Sequence, residues 1–164
     1  MKTLSWDDYY MSLVYLSAMK SKDRFTHIGA VIVGPDREIR SVGYNGLPRK
    51  VNDNVEAREE RPEKYFWYEH AERNAIYNAN LIGTTLKGCI MYTNGTPCSD
   101  CGRAVIQSGI KEVVIDLNWE NAKHTGWSES CDRTKEMFKE ANVILRGIDY
   151  NELKIVKYRR GEII

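Results

Sequence analysis

The sequence predicts an α/β layer fold built on a mixed sheet. Two strand-like segments, 29–33 and 39–44, flank the turn sequence Gly34-Pro35-Asp36, which favours an antiparallel hairpin. After the hairpin, helical and strand-like patterns alternate, which favours parallel strands joined by helical crossovers. Because the chain has 164 residues, we expect one domain over 1–164.

The elements follow from hydrophobic spacing and from cap and turn residues. A first helix is expected over 6–20, because Ser5 can cap it with Asp8 three residues on, and apolar residues recur at helical spacing. A polar stretch, 45–62, follows the hairpin, and a loop of that length is usually functional or disordered. The other elements are expected as helices over 70–80, 97–108 and 132–141, strands over 88–93, 112–115 and 143–145, and a last strand around Ile155, Val156 and Tyr158.

Composition favours a globular protein that acts on small molecules. Hydrophobic residues make up 42% and charged residues 29% of the chain, and the formal net charge is +1. No apolar run approaches the roughly 20 residues that a membrane span needs, and Asp7 and Asp8 interrupt any signal-like start. Polymeric nucleic acid usually requires a basic excess. We expect a solvated face rather than a phosphate patch at the one basic cluster, formed by Lys154, Lys157, Arg159 and Arg160.

The four cysteines indicate reduced thiols in a cytoplasmic protein. The chain is larger than a typical disulfide scaffold, and nothing in the sequence suggests export. Cys89 falls in an apolar strand-like run and Cys131 near a predicted helix start. Both are expected to be buried small side chains rather than ligands.

Cys98 and Cys101 follow Pro97 at a predicted helix start. Cysteines three apart on a first helical turn lie on one face and can reach one ion, and a helix N-terminus favours the thiolate that binds metal. Taken alone, the pair fits a redox pair or half of a structural zinc site equally well. A four-cysteine site would need a second close pair, which Cys89 and Cys131 do not form.

A second segment, His70-Ala71-Glu72, stands at another predicted helix start. His70 with Cys98 and Cys101 would give zinc three protein ligands and leave a fourth position for water, which is the catalytic pattern. Zinc lowers the pKa of that water, and Glu72 would accept its proton and return it to the substrate ring and the leaving amine. The order H-x-E and then P-C-x-x-C is the known signature of zinc-dependent deaminases.

Further segments resemble the deoxycytidylate (dCMP) deaminase family of the zinc-dependent cytidine and deoxycytidylate deaminase superfamily. Segment 43–48 reads G-Y-N-G-L-P and resembles the G-Y-N-G-x-P loop of that family, and segment 70–76 resembles its H-A-E-x-N-A-I helix. Segments 91–92 and 106–113 are similar as well. The resemblance covers roughly 21–143. Two other hypotheses are a tRNA-adenosine or other purine-type deaminase and a non-catalytic, zinc-stabilised module.

The resemblance implies a fold, a reaction and its regulation. The fold would have three α/β/α layers with a five-stranded mixed sheet, the reaction would convert dCMP and water to dUMP and ammonia for thymidylate synthesis, and the assembly would be a homohexamer. The chain would bind one catalytic Zn²⁺. Activation by dCTP and inhibition by dTTP would occur with Mg²⁺ at a site between subunits. By position, the resemblance implies that Asn45 contacts the substrate sugar and that Tyr44 and Gly46 lie near the effector. Arg24 is a candidate donor to the substrate phosphate or else a structural residue, and Ala71 and Thr96 are further candidate substrate contacts. Arg49 and Lys50 are candidate effector contacts.

The chain also departs from the family pattern. Arg49 and Lys50 stand where relatives often have small residues, which would strengthen a triphosphate site or simply be solvated. Asp23 and Asp53 stand near the positions where some viral members carry cysteines for a structural zinc, so no second zinc is expected. Glu69 replaces a frequent cysteine before the histidine, and the sequence assigns it no role.

Overall fold

A five-stranded mixed sheet forms the centre of the chain. The computed structural model describes residues 3–122, 128–151, 153, 158–159 and 162–163. The strands are β1 (Gly29–Val33), β2 (Ile39–Tyr44), β3 (Ile90–Thr93), β4 (Glu112–Asp116) and β5 (Ile144–Ile148), in the spatial order β2-β1-β3-β4-β5. β1 runs antiparallel to both β2 and β3, and β3, β4 and β5 run parallel to one another. The hairpin and the parallel crossovers are therefore confirmed.

The helices cover both faces of this sheet. They are α1 (Trp6–Ala18), α2 (Lys64–Trp67), α3 (Ala71–Leu81), α4 (Ser99–Gln107), α5 (Leu117–Asn121) and α6 (Ser128–Glu140), with a short 3₁₀ turn at Glu56–Arg58. One core joins α1 to the sheet face that carries Val31, Tyr92 and Val114. The other core joins α3, α4 and α6 to the face that carries Ile32 and Met91. The three-layer α/β/α prediction is confirmed.

Several element boundaries differ from the predictions for local reasons. The Ser5 hydroxyl accepts a hydrogen bond from the Asp8 amide at 3.0 Å, so the first helix begins where the sequence predicts. The 3₁₀ turn lies near the end of the stretch predicted to be a loop, and α2 begins just after that stretch. Neither element has a side-chain cap that would predict it from the sequence. α5 was missed because it has only five residues, although Asp116 caps it by accepting from the Asn118 amide.

The end of the chain carries two short paired strands, β6 (Tyr158–Arg159) and β7 (Glu162–Ile163). Tyr158 therefore lies in a strand, as predicted, whereas Ile155 and Val156 lie outside the described residues. Arg159 is exposed, and the other members of the predicted basic cluster, Lys154, Lys157 and Arg160, also lie outside the described residues. Among the residues described, no helix combines the length and apolar character needed to cross a bilayer.

α3 packs directly on β2, and this close approach depends on Gly43. A Cβ atom at position 43 would lie 2.4 Å from the carbonyl oxygen of Ala71 and 2.4 Å from the amide nitrogen of Ala75. Both atoms belong to the helix backbone, which cannot rotate away as a flexible side chain can. The position of the α3 N-terminus therefore depends on a glycine in the edge strand.

We expect Gly43→Ala to lower the free energy of unfolding by about 1–3 kcal/mol, because the added methyl group overpacks the α3–β2 contact. Urea unfolding followed by circular dichroism measures this. Gly46→Ala is the matched control, since a Cβ at position 46 would meet no atom closer than 4.0 Å. An unchanged unfolding midpoint for Gly43→Ala would contradict the close approach.

Candidate active site

Two helices begin at the same point beside the sheet. His70 is the N-cap residue of α3, Cys98 is the N-cap residue of α4, and Cys101 lies in the first turn of α4. The β2–α3 and β3–α4 connections bring these ends together at the sheet edge where β2, β3 and β4 end. The structure thus places side by side two segments that are 28 residues apart in the chain.

The three predicted ligand atoms have the spacing of a zinc site. His70 Nδ1 lies 3.4 Å from Cys98 Sγ and 3.5 Å from Cys101 Sγ, and the three atoms are within 4.8 Å of one another. Zn–N and Zn–S bonds of about 2.0–2.1 and 2.3 Å at tetrahedral angles put ligand nitrogen and sulfur about 3.5 Å apart. The donor set and its spacing therefore fit Zn²⁺. Within the described residues, neither Cys89 nor Cys131 joins this group.

Contacts among these three groups favour a thiolate at Cys98. A hydrogen bond from Cys101, reinforced by one with His70, lowers the pKa of the Cys98 thiol to about 4 against the opposing effect of burial. The same contact with Cys98, together with burial, raises the pKa of Cys101, and the bond to Cys98 raises the pKa of His70. The α4 N-terminus supports negative charge at this position as well.

Glu72 stands beside the donor set without belonging to it. It lies in the first turn of α3, is only 5% exposed, and its Oε2 is 3.7 Å from Cys101 Sγ. Burial raises the pKa of its carboxyl group, which brings it closer to the range in which a carboxylate can both accept and return a proton. This is the arrangement that a proton-transferring glutamate next to a metal requires.

The donor set opens onto a cavity of about 520 Å³. That volume is within the range of sites for small organic ligands. Glu72, Cys98 and His70 line it, together with residues from the 23–28 loop, the 61–69 segment, α5 and α6. A metal-binding donor set, a buried carboxylate and an organic-ligand cavity thus share one location.

Comparison with known proteins agrees with this geometry. The family model described as the cytidine and deoxycytidylate deaminase zinc-binding region matches residues 4–117. The chain is 37% identical over 158 residues to the deoxycytidylate deaminase of Mus musculus, a match that covers 93% of this chain and 85% of the mouse protein.

The chain belongs to the zinc-dependent cytidine and deoxycytidylate deaminase family.

Other members of the deaminase family show the same relationship. The deoxycytidylate deaminase of Homo sapiens is 42% identical over 117 residues, which cover 68% of this chain and 65% of the human protein. The crystal structure of the dCMP deaminase from cyanophage S-TIM5, in complex with dCMP and dUMP, has the same fold with a TM-score of 0.71. That alignment covers 90% of this chain and 100% of the phage chain at 20% sequence identity.

Three of the four predicted substrate residues line the deaminase cavity: Asn45, Ala71 and Thr96. Asn45 is already held by the protein, because its amide nitrogen donates to Asp23 and Thr26 and its oxygen accepts from the Ile28 amide. Ala71 is the first residue of α3, where backbone N–H groups lack partners within the helix. Thr96 lies in the β3–α4 loop.

Arg24 is not brought to this cavity. Its guanidinium is exposed and lies 3.6 Å from the carboxylate of Glu56. The cationic side chains that do line the cavity are Arg61, Lys64 and Lys135. Sequence analysis missed these three, and no motif marks them, although Arg61 belongs to the polar stretch for which a functional role was considered.

Lys64 forms a buried ion pair with Asp23, and both residues line the cavity. The Asp23 carboxylate also accepts hydrogen bonds from the Phe25 and Thr26 amides and from Asn45. Asp53, the other position considered for a second zinc, pairs with Lys22 at the surface. The absence of a second zinc stays a prediction.

The four predicted effector residues lie outside the cavity lining: Tyr44 ends β2, and Gly46, Arg49 and Lys50 belong to the loop that follows it. Tyr44 is exposed, Arg49 bonds to the Asn78 side chain, and Lys50 is exposed. Gly46 pairs with the backbone of Glu69 through two hydrogen bonds of 3.0 and 2.8 Å. This loop is therefore tied to the residue that precedes His70.

Glu69 has a structural role that the sequence did not reveal. Its carboxylate accepts a hydrogen bond from the His70 amide at 2.9 Å and pairs with Arg73. Because the amide belongs to the helix-capping histidine, Glu69 stabilises the backbone of the candidate metal ligand His70.

We expect His70→Ala, Cys98→Ala and Cys101→Ala each to lose bound zinc, because a site with three protein donors holds the ion weakly once one donor is removed. Metal analysis of the purified proteins measures zinc per chain. Cys89→Ala is the matched control, since Cys89 is a buried thiol outside the donor set. Full zinc content in any of the three ligand variants would contradict the assignment.

Proposed function

We propose that the protein is a dCMP deaminase that hydrolyses dCMP to dUMP and ammonia. The single observation that carries this proposal is the buried Glu72 carboxylate beside a three-donor zinc site that opens onto a nucleotide-sized cavity. The relatives named deoxycytidylate deaminase support dCMP as the substrate. Such an activity supplies dUMP, the precursor for thymidylate synthesis.

The proposed mechanism assigns the proton transfers to Glu72. When bound, zinc lowers the pKa of a coordinated water so that a nucleophile forms near neutral pH. The Glu72 carboxylate accepts a proton from the attacking water and passes it to ring nitrogen N3 of the pyrimidine. A second proton then moves by way of Glu72 to the exocyclic amine, which leaves as ammonia while the ring carbon keeps the oxygen.

The cavity supports an anionic nucleotide as the ligand. Arg61 lines its wall on an exposed side chain, whereas Lys64 pairs with Asp23 and Lys135 pairs with Asp132 and Glu120 within it. We assign the substrate phosphate to Arg61, because the planar guanidinium group binds phosphate through paired hydrogen bonds. The first-turn N–H groups of α3, beginning at Ala71, provide donors for the base or for the developing charge on it.

The regulatory part of the proposal concerns the loop after β2. We propose that dCTP activates and dTTP inhibits the enzyme by binding, with Mg²⁺ on the triphosphate, at Tyr44, Gly46, Arg49 and Lys50. We propose a homohexamer as the assembly. The exposed cations of this loop and its backbone connection to Glu69 support a route from effector to His70. A cytoplasmic location fits the four free thiols.

A substrate panel tests the activity. We expect the purified, zinc-loaded protein to release ammonia from dCMP, and not from single-stranded DNA, tRNA adenosine or free purines, because the cavity admits a single nucleotide. Ammonia release is followed by a coupled assay. Absence of turnover with every cytosine nucleotide would refute the proposed function, and turnover of a purine alone would replace it.

The same assay, run with dCTP or dTTP and with or without Mg²⁺, tests regulation. We expect dCTP to lower the dCMP concentration at half-maximal rate and dTTP to raise it. Lys50→Ala should weaken both responses and leave the basal rate unchanged, since Lys50 lies outside the cavity. Equal rates with and without either nucleotide would exclude the regulatory part while leaving the deaminase proposal intact.

We expect Glu72→Gln to lower kcat by about 10²–10⁴-fold, because an amide cannot accept and return the transferred proton. Zinc content and the thermal unfolding midpoint should stay at wild-type values, since glutamine has nearly the same shape. Glu129→Gln, on the exposed face of α6, is the control. A zinc-loaded Glu72→Gln protein that retains wild-type kcat would show that Glu72 does not transfer the protons.

A further inference from the structure

The loop between β3 and α4 carries Cys98, and its central residue is Thr96. Every polar group of Thr96 is bonded within the protein. Its amide donates to Glu120 Oε2 at 2.9 Å, its hydroxyl donates to Glu120 Oε1 at 2.7 Å, and its carbonyl accepts from the Cys131 thiol at 3.3 Å. Thr96 is therefore held by α5 and α6, which lie outside its own loop.

Glu120 binds this loop with both carboxylate oxygens. A carboxylate that accepts two bonds from one residue fixes that residue in direction as well as in position. The contact is close, because a Cβ atom at Gly95 would lie 2.9 Å from the Trp119 ring and 3.1 Å from Glu120 Oε2. α5 thus packs directly against the loop, and the Glu120 side chain is mostly shielded from solvent, with 27% exposed.

The orientation of Thr96 is transmitted to Cys98 through Pro97. Proline fixes its own φ near −65°, and it restricts the preceding residue to extended conformations. The Thr96–Pro97–Cys98 segment is therefore stiff, and a rotation of Thr96 moves the Cys98 sulfur. At the next residue, the Ser99 amide donates to the Ser130 hydroxyl of α6 at 2.9 Å, so α6 holds the start of α4 as well.

Glu120 lies beyond residue 117, where the match to the deaminase zinc-binding region ends. The sequence motifs include the metal ligands and Glu72 but not the side chain that orients the Cys98 loop. Thr96 was expected to contact the substrate, yet its hydroxyl and amide are both bonded to Glu120. A scaffold role agrees better with these bonds than a direct substrate contact through the side chain.

We propose that Glu120 is a positioning residue that holds Thr96 and thereby fixes Cys98 in the geometry needed for zinc binding. Its kinetic consequences rest on the proposed dCMP deaminase activity, whereas its effect on zinc retention does not. In other metalloproteins, mutation of a residue that supports a metal ligand commonly lowers metal affinity or activity about 10–100-fold.

Zinc transfer to EDTA and dCMP turnover, measured on the zinc-loaded full chain, test this role. We expect Glu120→Ala to release zinc about 10-fold faster and to lower kcat about 10-fold, with a smaller change in KM. Glu120→Gln should fall between wild type and Glu120→Ala, because one carbonyl oxygen can still accept a bond. Thr96→Val should reproduce part of the loss, since it retains the amide donor and loses the hydroxyl.

A double-mutant cycle shows whether Glu120 acts through Thr96. The Glu120→Ala/Thr96→Val protein should be no worse than Glu120→Ala, because the hydroxyl bond is already lost in the single variant. Glu129→Ala is the matched control, as Glu129 is an exposed carboxylate on α6 that pairs with Arg133. Its zinc release and kcat should equal those of the wild type.

Three results would overturn the proposal. The first is that both Glu120 variants release zinc and turn over dCMP at wild-type rates. The second is that the fold-losses of Glu120→Ala and Thr96→Val multiply fully in the double variant. The third is a raised KM with unchanged zinc release, which would assign Glu120 to substrate contact.

If Glu120→Ala does not fold, Glu120→Gln decides, because it preserves the side-chain shape. A wild-type protein inactive on dCMP would refute the proposed function, and zinc release would still test Glu120.

Discussion

The N-termini of α3 and α4 converge at one edge of the central sheet, and this convergence sets the geometry of the candidate site. His70 caps α3, and Cys98 and Cys101 begin α4, so an imidazole and two thiols meet within 4.8 Å. Each helix must start at the same edge of the sheet for this to occur. Gly43 allows α3 to lie on β2, and the parallel β3–β4 pair with its crossover places α4 beside it.

The surrounding protein restricts how these groups can move. Glu69 binds the His70 amide on one side, and Glu120 binds Thr96 on the other. The segments that carry the candidate metal ligands His70 and Cys98 are therefore each held by a glutamate carboxylate. Such support fixes ligand directions before the ion binds, which lowers the cost of assembling the site.

The charged groups that line the cavity come from separate parts of the chain. Glu72 is buried and its pKa is raised, whereas the Asp23 carboxylate is neutralised by Lys64. Arg61 adds positive charge to the wall, and Lys135 pairs there with Asp132 and Glu120. The resulting cavity holds a buried carboxylate next to the candidate metal donors and the Arg61 guanidinium on its wall.

The layer fold, the hairpin, the candidate ligands and Glu72 can be predicted from the amino-acid sequence, because turn residues, helix caps and metal-ligand spacing are local signals. The sequence could not give α5, whose five residues carry too little periodicity, or the cavity residues Arg61, Lys64 and Lys135. Arg24, which the sequence left open as a phosphate donor or a structural residue, pairs with Glu56 at the surface. Which distant side chains meet is decided only when the sheet and helices pack, since hydrogen bonds such as Glu120–Thr96 depend on distance in space and leave no pattern along the chain.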